Sequence, residues 1–383
     1  MSEIKTLADV AHIVAGSGFN EAFQGQTNLP IPFVKVSDFQ SSVDNWLSSA
    51  ANSVNEDMLK ALGAKKYPAG TIIFPKVGGA LLTNKRTRLA VESAMDNNVM
   101  GLIPLGIDPD YLFYFMCLFD MGSIANAQAL PSVSASAVAK IEIPVPVSRE
   151  IQRQIANKLK TQLAEVETAR QALEIRQQEI VKLANAYIRQ SIVHSKVSEC
   201  PLGDVLDEVK KGIGERWADY PVLGATRDGL APAKEPPGKQ PQRYKPVFSG
   251  TVFYNPMRIL IGSIAFVDDD DQPGITSPDY VALQGKPGIV DSRWFYYWLR
   301  SPYGVQCINS LARGAVRERM LFNRLAEGFI QLPPYSEQVR ISAALKQLQP
   351  VKAAIKQQLD DLNKIPERLL AKAFDFNHER RSS

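Results

Sequence analysis

The chain has 383 residues, 45% of them hydrophobic and 22% charged, which is enough for two or three domains and too apolar for a disordered protein. Its net charge of +4 permits a polyanionic partner without demanding one, since a basic face counts for more than the total. No apolar run reaches the eighteen or so residues of a membrane helix, Met1–Lys5 opens no signal segment, and Cys117, Cys200 and Cys307 lack disulfide or zinc spacing. A cytoplasmic protein is expected.

The first block, residues 1–147, mixes strand and helix patterns. Leu7–Val14 opens it, and Gly16-Ser17-Gly18 turns the chain. Pro32–Phe39 alternates and predicts a strand, while Asn55–Leu62 predicts a short helix closed by Gly63. Pro68-Ala69-Gly70 feeds a strand over Thr71–Lys76, which Pro75 places at a sheet edge. Gly78-Gly79 marks a loop before the basic cluster Lys85-Arg86-Thr87-Arg88. Asp110–Met116 predicts the start of a buried helix, and Ile141–Ile143 a strand.

Residues 148–195 carry the pattern of one long amphipathic helix. Leu159, Val166, Leu173, Ile180 and Tyr187 recur every seven residues, with Ile155, Leu163, Ala169 and Leu183 on the same side. At about 1.5 Å per residue this predicts a rod of roughly 60–65 Å. The second block, residues 196–335, then begins again. Leu202-Gly203-Asp204-Val205 echoes Leu7-Ala8-Asp9-Val10, and Gly250–Pro256 echoes Gly70–Pro75. Trp294–Leu299 echoes Tyr111–Met116, and Ile330–Pro333 echoes Ile141–Pro144. A second helical segment, residues 336–376, repeats the heptad at Ile341, Leu348, Ile355, Leu362 and Leu369, before a polar tail at 377–383. Pro350 and Pro366 interrupt it, and a break near Pro350 is expected. Both helices are entered alike, through Gln152-Arg153-Gln154-Ile155 and Gln338-Val339-Arg340-Ile341 after Pro-rich strands. The chain is therefore an internal duplication of α+β class. Its matched helices favour an antiparallel pair within one chain over a homodimeric coiled coil.

Pro221–Pro246 is Pro- and Lys-rich and predicts an exposed loop region, and Asp268–Asp271 predicts a hairpin tip. A charge run alone is usually a solvated face. Two blocks that both carry Lys and Arg in Gly-rich loops are better explained by phosphate neutralisation and base-edge reading. The candidate DNA contacts are Lys76, Lys85, Arg86, Arg88, Ser132 and Ser134 in the first block. In the second they are Arg227, Lys239, Arg243, Arg258, Arg313, Arg317 and Arg319, with Arg317 and Arg319 the leading pair.

No catalytic constellation emerges. His12, His194 and His378 have no partners at metal or triad spacing. Pro278-Asp279 with Gln284-Gly285-Lys286 approaches a nuclease pattern, but Gln284 stands where a second carboxylate must bind Mg2+. Asn255-Pro256-Met257 is an incomplete version of an adenine-methyltransferase motif, and no Gly-rich cofactor loop precedes it.

Taken together, the chain resembles the specificity subunit of a type I restriction–modification enzyme. The resemblance rests on Gly70–Phe74 and Gly250–Tyr254, on Ser277–Val281 and Gly314–Met320, and on the two helix entries. The first block lacks a clear Ser-Pro-Asp-Tyr counterpart, and Ser132-Val133-Ser134 replaces the Gly-Ala-Val-Arg type of loop. The resemblance implies two target recognition domains, each reading half of a split double-stranded DNA sequence, with the helices as an antiparallel spacer. It implies two methyltransferase subunits as partners, and two restriction subunits. It also implies a non-catalytic chain without cofactors, since S-adenosylmethionine, ATP and Mg2+ belong to those partners. The rival reading is a scaffold without DNA that dimerises through its helices.

Overall fold

The computed structural model describes residues 2–126, 129–194, 197–312 and 319–375. They form two compact units, Met1–Gln171 with Asp360–Ser383, and Ala172–Leu359. The dividing points fall inside helices, so each unit is one globular block plus a share of both helical segments.

In the first unit, Ser2–Thr6 pairs antiparallel with Glu142–Pro146. The chain then makes a helical turn, Leu7–Val10, which buries both of its end residues. A five-stranded sheet follows in the order Ala11–Ala15, Val99–Pro104, Ile72–Pro75, Thr87–Leu89, Trp46–Leu47. The helix Pro109–Leu118 packs into the core beneath it, with Asp108 accepting the N–H groups of Asp110 and Tyr111 as its cap.

The second unit repeats this plan. Ser198–Pro201 pairs with Phe329–Leu332, and the turn Leu202–Val205 follows. The sheet order is Leu206–Glu208, Val281–Gly285, Thr251–Tyr254, Ile264–Val267. Helix Ser292–Arg300 is capped by Asp291 through the Trp294 N–H. These four strands therefore follow the same order as their counterparts in the first unit, where Trp46–Leu47 adds a fifth at the edge, and the shared order establishes the duplication in three dimensions.

The helix entries are equivalent down to single hydrogen bonds. Buried Gln152 accepts the Asp108 backbone N–H at 2.8 Å and donates to the Pro146 carbonyl at 2.7 Å. Buried Gln338 accepts the Asp291 N–H at 2.9 Å and donates to the Pro333 carbonyl at 2.9 Å. One amide thus joins the strand before each long helix to the cap of the aromatic helix.

The long helix runs unbroken over Arg149–Val193. Its first turns, with Ala156 and Leu159, join Leu370 and Phe374 in the first unit's core. Its last turns, with Ala184, Ile188 and Ile192, join Ile341 and Leu345 in the second unit's core. The C-terminal segments visit the two cores in the reverse order, so the two helical stretches run in opposite chain directions.

Several expectations need correction. Leu183 is 43% exposed and Ala169 is exposed; the inward positions are Ala156 and Ala184 instead. Small residues at a seam let a partner helix approach closely; Leu370 and Phe374 supply bulk to the core that holds Ala156, and Ile341 and Leu345 to the core that holds Ala184. Helix Tyr335–Leu362 passes through Pro350 without ending, and the break falls before helix Ile365–Phe374, which has Pro366 in its first turn. Pro350 is exposed and removes a single hydrogen bond, while Leu345 and Ile355 are buried on either side of it. Pro75 ends a central strand rather than an edge one, and its neighbour Thr87–Leu89 pairs only as far as Ile73. The strand predicted over Pro32–Phe39 stops at Val34. Asp38 accepts the Lys35 N–H at 2.7 Å and winds Val36–Ser41 into a 3-10 helix. The acidic run Asp268–Asp271 forms a tight turn after Ile264–Val267, but the next strand, Gly274–Thr276, pairs with Lys245–Val247 instead of folding back. Among the described residues, no helix is long and apolar enough to cross a membrane.

Candidate nucleic-acid interface

In both units the central Gly-Thr strand ends beside the same pair of loops. In the first, the Lys76 N–H donates to the Asn98 carbonyl at 2.9 Å, and the Lys76 carbonyl accepts the Val133 N–H at 3.0 Å. Val77 bridges Ser132. In the second, the Pro256 carbonyl accepts the Met320 N–H at 3.1 Å. Val133 and Met320 are therefore equivalent, which sets Ser132 opposite Arg319.

Two side chains engage local structure here. Ser132 exchanges hydrogen bonds with Asn126 at 2.8 and 2.9 Å, and Ser134 caps helix Ala135–Ala139. Their hydroxyls shape the loop that presents Lys76.

The second loop was legible in one unit only. Ser277 accepts the Asp279 N–H at 3.3 Å in the turn that leads into Val281–Gly285. Its counterpart before Val99–Pro104 is Asp96-Asn97-Asn98, where Asp96 accepts the Asn98 N–H at 2.9 Å. The spacing matches, with each acceptor taking the N–H two residues on, but the residue types do not. What they share is a short acceptor side chain closing a turn, too common a signal to find from sequence. Gly16 is fixed by this turn, because a Cβ there would lie 2.0 Å from the Asp96 carbonyl oxygen.

The predicted cations separate into two groups. Lys85, Arg227, Lys239 and Arg258 are exposed, and no carboxylate pairs with them among the described residues. Lys76 is half-buried at its strand end, and exposed Arg243 donates to Gln240 at 2.9 Å. Arg319 is half-exposed and pairs with Asp279 at 3.1 Å, joining the two loops that border the strand end. Arg313 and Arg317 lie outside the described residues.

Arg86 and Arg88 require correction. Arg86 is 7% exposed and donates to the Phe119 carbonyl at 2.9 Å and to Asn84 at 3.2 Å, while burial works against its charge. Arg88 is 6% exposed, pairs with Asp110, and lies between the rings of Trp46 and Phe113 at 4.1 and 4.2 Å. Alternation along Thr87–Leu89, a strand buried on both faces, turned a basic run into core.

Two cations that charge counting missed serve the Arg227 hairpin. Arg300 donates to the Arg227 carbonyl, and half-buried Lys352 donates to the Asp228 carbonyl at 3.0 Å. Burial, with Arg300 nearby, pulls the Lys352 ammonium below its ordinary range. The tip carrying Arg227 is thereby fastened to the second helix.

The residues that resembled catalytic motifs have structural partners. Asn255 accepts the Met257 N–H at 2.9 Å, Gln284 donates to Thr251 at 3.1 Å, and Lys286 donates to the Asp204 carbonyl at 2.7 Å. Asp279, Gln284 and Lys286 thus serve three separate contacts. Among the described residues, no group of His, Cys, Asp or Glu could hold a metal ion.

Known proteins extend these observations. Residues 2–185 match the family model of the type I restriction modification DNA specificity domain. A chain from a study of complex assembly and conformational transition of the type I R-M system is similar, with a TM-score of 0.65 at 18% identity, covering 97% of each chain. The type I restriction-modification S subunit from M. genitalium is similar with a TM-score of 0.52 at 15% identity, covering 98% of this chain and 96% of that one. No curated protein matches significantly. Residues 2–185 therefore carry the sequence pattern of a type I restriction modification DNA specificity domain, and the chain over its whole length shares the fold of the two type I restriction–modification chains.

Proposed function

We propose that the chain selects the DNA sequence for a type I restriction–modification complex, reading a bipartite double-stranded target with one half-site per unit. The observation that carries this reading is the duplicated strand end. Lys76 with Ser132, and Pro256 with Arg319 and Met320, occupy the same position in two equivalent sheets, and exposed cations lie on the loops of both blocks. Cations neutralise phosphates and give affinity, while groups at loop tips reach base edges and give selectivity. Two copies of one reader on one chain suit a target in two parts.

In this reading the chain does no chemistry. Two methyltransferase subunits dock on it and supply S-adenosylmethionine and adenine-N6 methylation. Two restriction subunits add ATP-driven and Mg2+-dependent steps, and the assembly works in the cytoplasm. The test is to map methylated adenines made by the chain with its methyltransferase, alongside gel shifts on random DNA at low salt. Two short defined blocks separated by a fixed undefined gap are expected. A single uninterrupted site counts against the reading. A chain that dimerises and never shifts DNA, with or without its partner, belongs to the rival scaffold.

A further inference from the structure

The two units carry opposite charge patterns at one equivalent place. The second residue of the capped aromatic helix is Asp110 in the first unit and Arg293 in the second. Each reaches across to its sheet. Asp110 pairs with Arg88 on strand Thr87–Leu89. Arg293 pairs with Asp268, which follows strand Ile264–Val267, and with Asp269 at 2.9 Å. The Gly70 N–H donates to Leu89 and the Gly250 N–H to Val267, which aligns the two strands. Arg88 then corresponds to Phe266, and Asp268 stands two positions along the same face. Arg88 and Asp268 are both withdrawn from solvent, at 6% and 8% exposure.

We propose that this reversed polarity sorts each aromatic helix to its own sheet while the duplicated chain folds. The two blocks share the order of four strands, the cap and the Gln clamp, so the backbones around each helix N-terminus offer little to tell one docking site from the other. A helix on the wrong sheet would set Asp110 against Asp268 and Asp269, or Arg293 against Arg88. Like charges brought together where water is scarce repel strongly, and repeat proteins are prone to such misassembly. The same rule holds between two copies of the chain, which can exchange like for like only. A merely structural ion pair would work equally well with one polarity in both units.

The test is refolding of the full chain from urea over a range of concentrations, scored as monomer recovered by size exclusion with native near-UV circular dichroism. Arg88→Asp with Asp110→Arg gives both units the same polarity. Monomer recovery should fall several-fold, with a loss that grows with concentration. Adding Asp268→Arg and Arg293→Asp restores the opposition with signs inverted, and recovery should rise again. A simple loss of contacts predicts that four substitutions are worse than two. A twofold variant that refolds like the parent, or a fourfold variant that refolds no better than the twofold, overturns the proposal. If the fourfold chain does not fold at all, Asp110→Arg with Arg293→Asp decides, since both sheets are then untouched and each helix matches the wrong one. Exchanged oligomers are expected from that pair and monomers from either single change; monomer from the pair overturns the proposal.

Discussion

Gln338 holds the backbone of Asp291, the residue whose own carboxylate caps the aromatic helix. The Gln338 oxygen accepts the Asp291 N–H, its amide donates to the carbonyls of Pro333 and Ile289, and the Asp291 carboxylate accepts Trp294 N–H and the Ser342 hydroxyl. Strand, long helix and aromatic helix therefore meet through one buried side chain. Gln338→Ala removes all three of its bonds and leaves buried partners unsatisfied. It should cost about 2–4 kcal/mol, and Gln152→Ala a similar amount. Urea midpoints of the two variants measure this. A loss below 0.5 kcal/mol, on the order of an exposed substitution, would remove the clamp from the account.

Buried phenols set the response to alkali. Burial pushes the pKa values of the Tyr111, Tyr254 and Tyr297 phenols well above the ordinary 10.0. A raised folded value contributes stability that is complete below the unfolded value and is lost as pH rises through the folded one. Unfolding should therefore become easier above about pH 10, where the unfolded chain ionises and the folded one does not. Among the described residues the buried Tyr254 hydroxyl meets no hydrogen-bond partner, unlike that of Tyr111, which donates to the Pro144 carbonyl at 2.6 Å. Tyr254→Phe should leave the chain as stable at pH 7, or about 1 kcal/mol more so, and less sensitive to alkali. Melting curves at pH 7 and pH 10.5 test both statements.

The exposed cations should divide by their effect on salt dependence. Replacing a residue that only neutralises phosphate weakens binding to all sequences alike and lowers the salt slope by about one. We expect this of Lys239→Ala and Arg258→Ala. Arg319 joins two loops at the strand end through Asp279, and Arg319→Ala should instead cost about 1–3 kcal/mol on the specific sequence and relax one position. Arg86→Ala and Arg88→Ala should lower thermal stability before they alter any DNA contact. Titrations of specific and random duplexes at several salt concentrations separate these outcomes.

The helical segment between the two cores should act as a ruler. Four residues inserted within Glu165–Glu179 add about 6 Å, nearly two base pairs of duplex. The undefined gap of the methylated sequence should lengthen accordingly while both half-sites stay the same. Methylation mapping of the insertion variant would show an unchanged gap if the helix plays no such part.

The duplication was legible in sequence because its markers are local. Gly-Thr strands, aromatic helix starts and Pro-then-Gln entries each leave a short signature, and all of them fell in equivalent places. What sequence hid were facts decided by neighbours. The Arg86 and Arg88 side chains read as surface until strand Thr87–Leu89, which follows Arg86 and contains Arg88, proved to be buried on both faces. Leu183 fitted the heptad by spacing, but it is exposed and its neighbour Ala184 joins the core that holds Ile341 and Leu345. Pro350 looked like a helix end, yet one missing hydrogen bond on an exposed face was outweighed by packing on either side. The Asp96 turn matched Ser277–Asp279 in role and not in residues, which no comparison of letters recovers.

One uninterrupted helix supplies side chains to both cores, so neither body can lose its share without loosening the other's. Warming should then melt the two together, as a single calorimetric peak, even though each has strands and a cap of its own. Selecting a new specificity by replacing one globular block would inherit that coupling, and its success would depend on how well the grafted block still grips the shared helix.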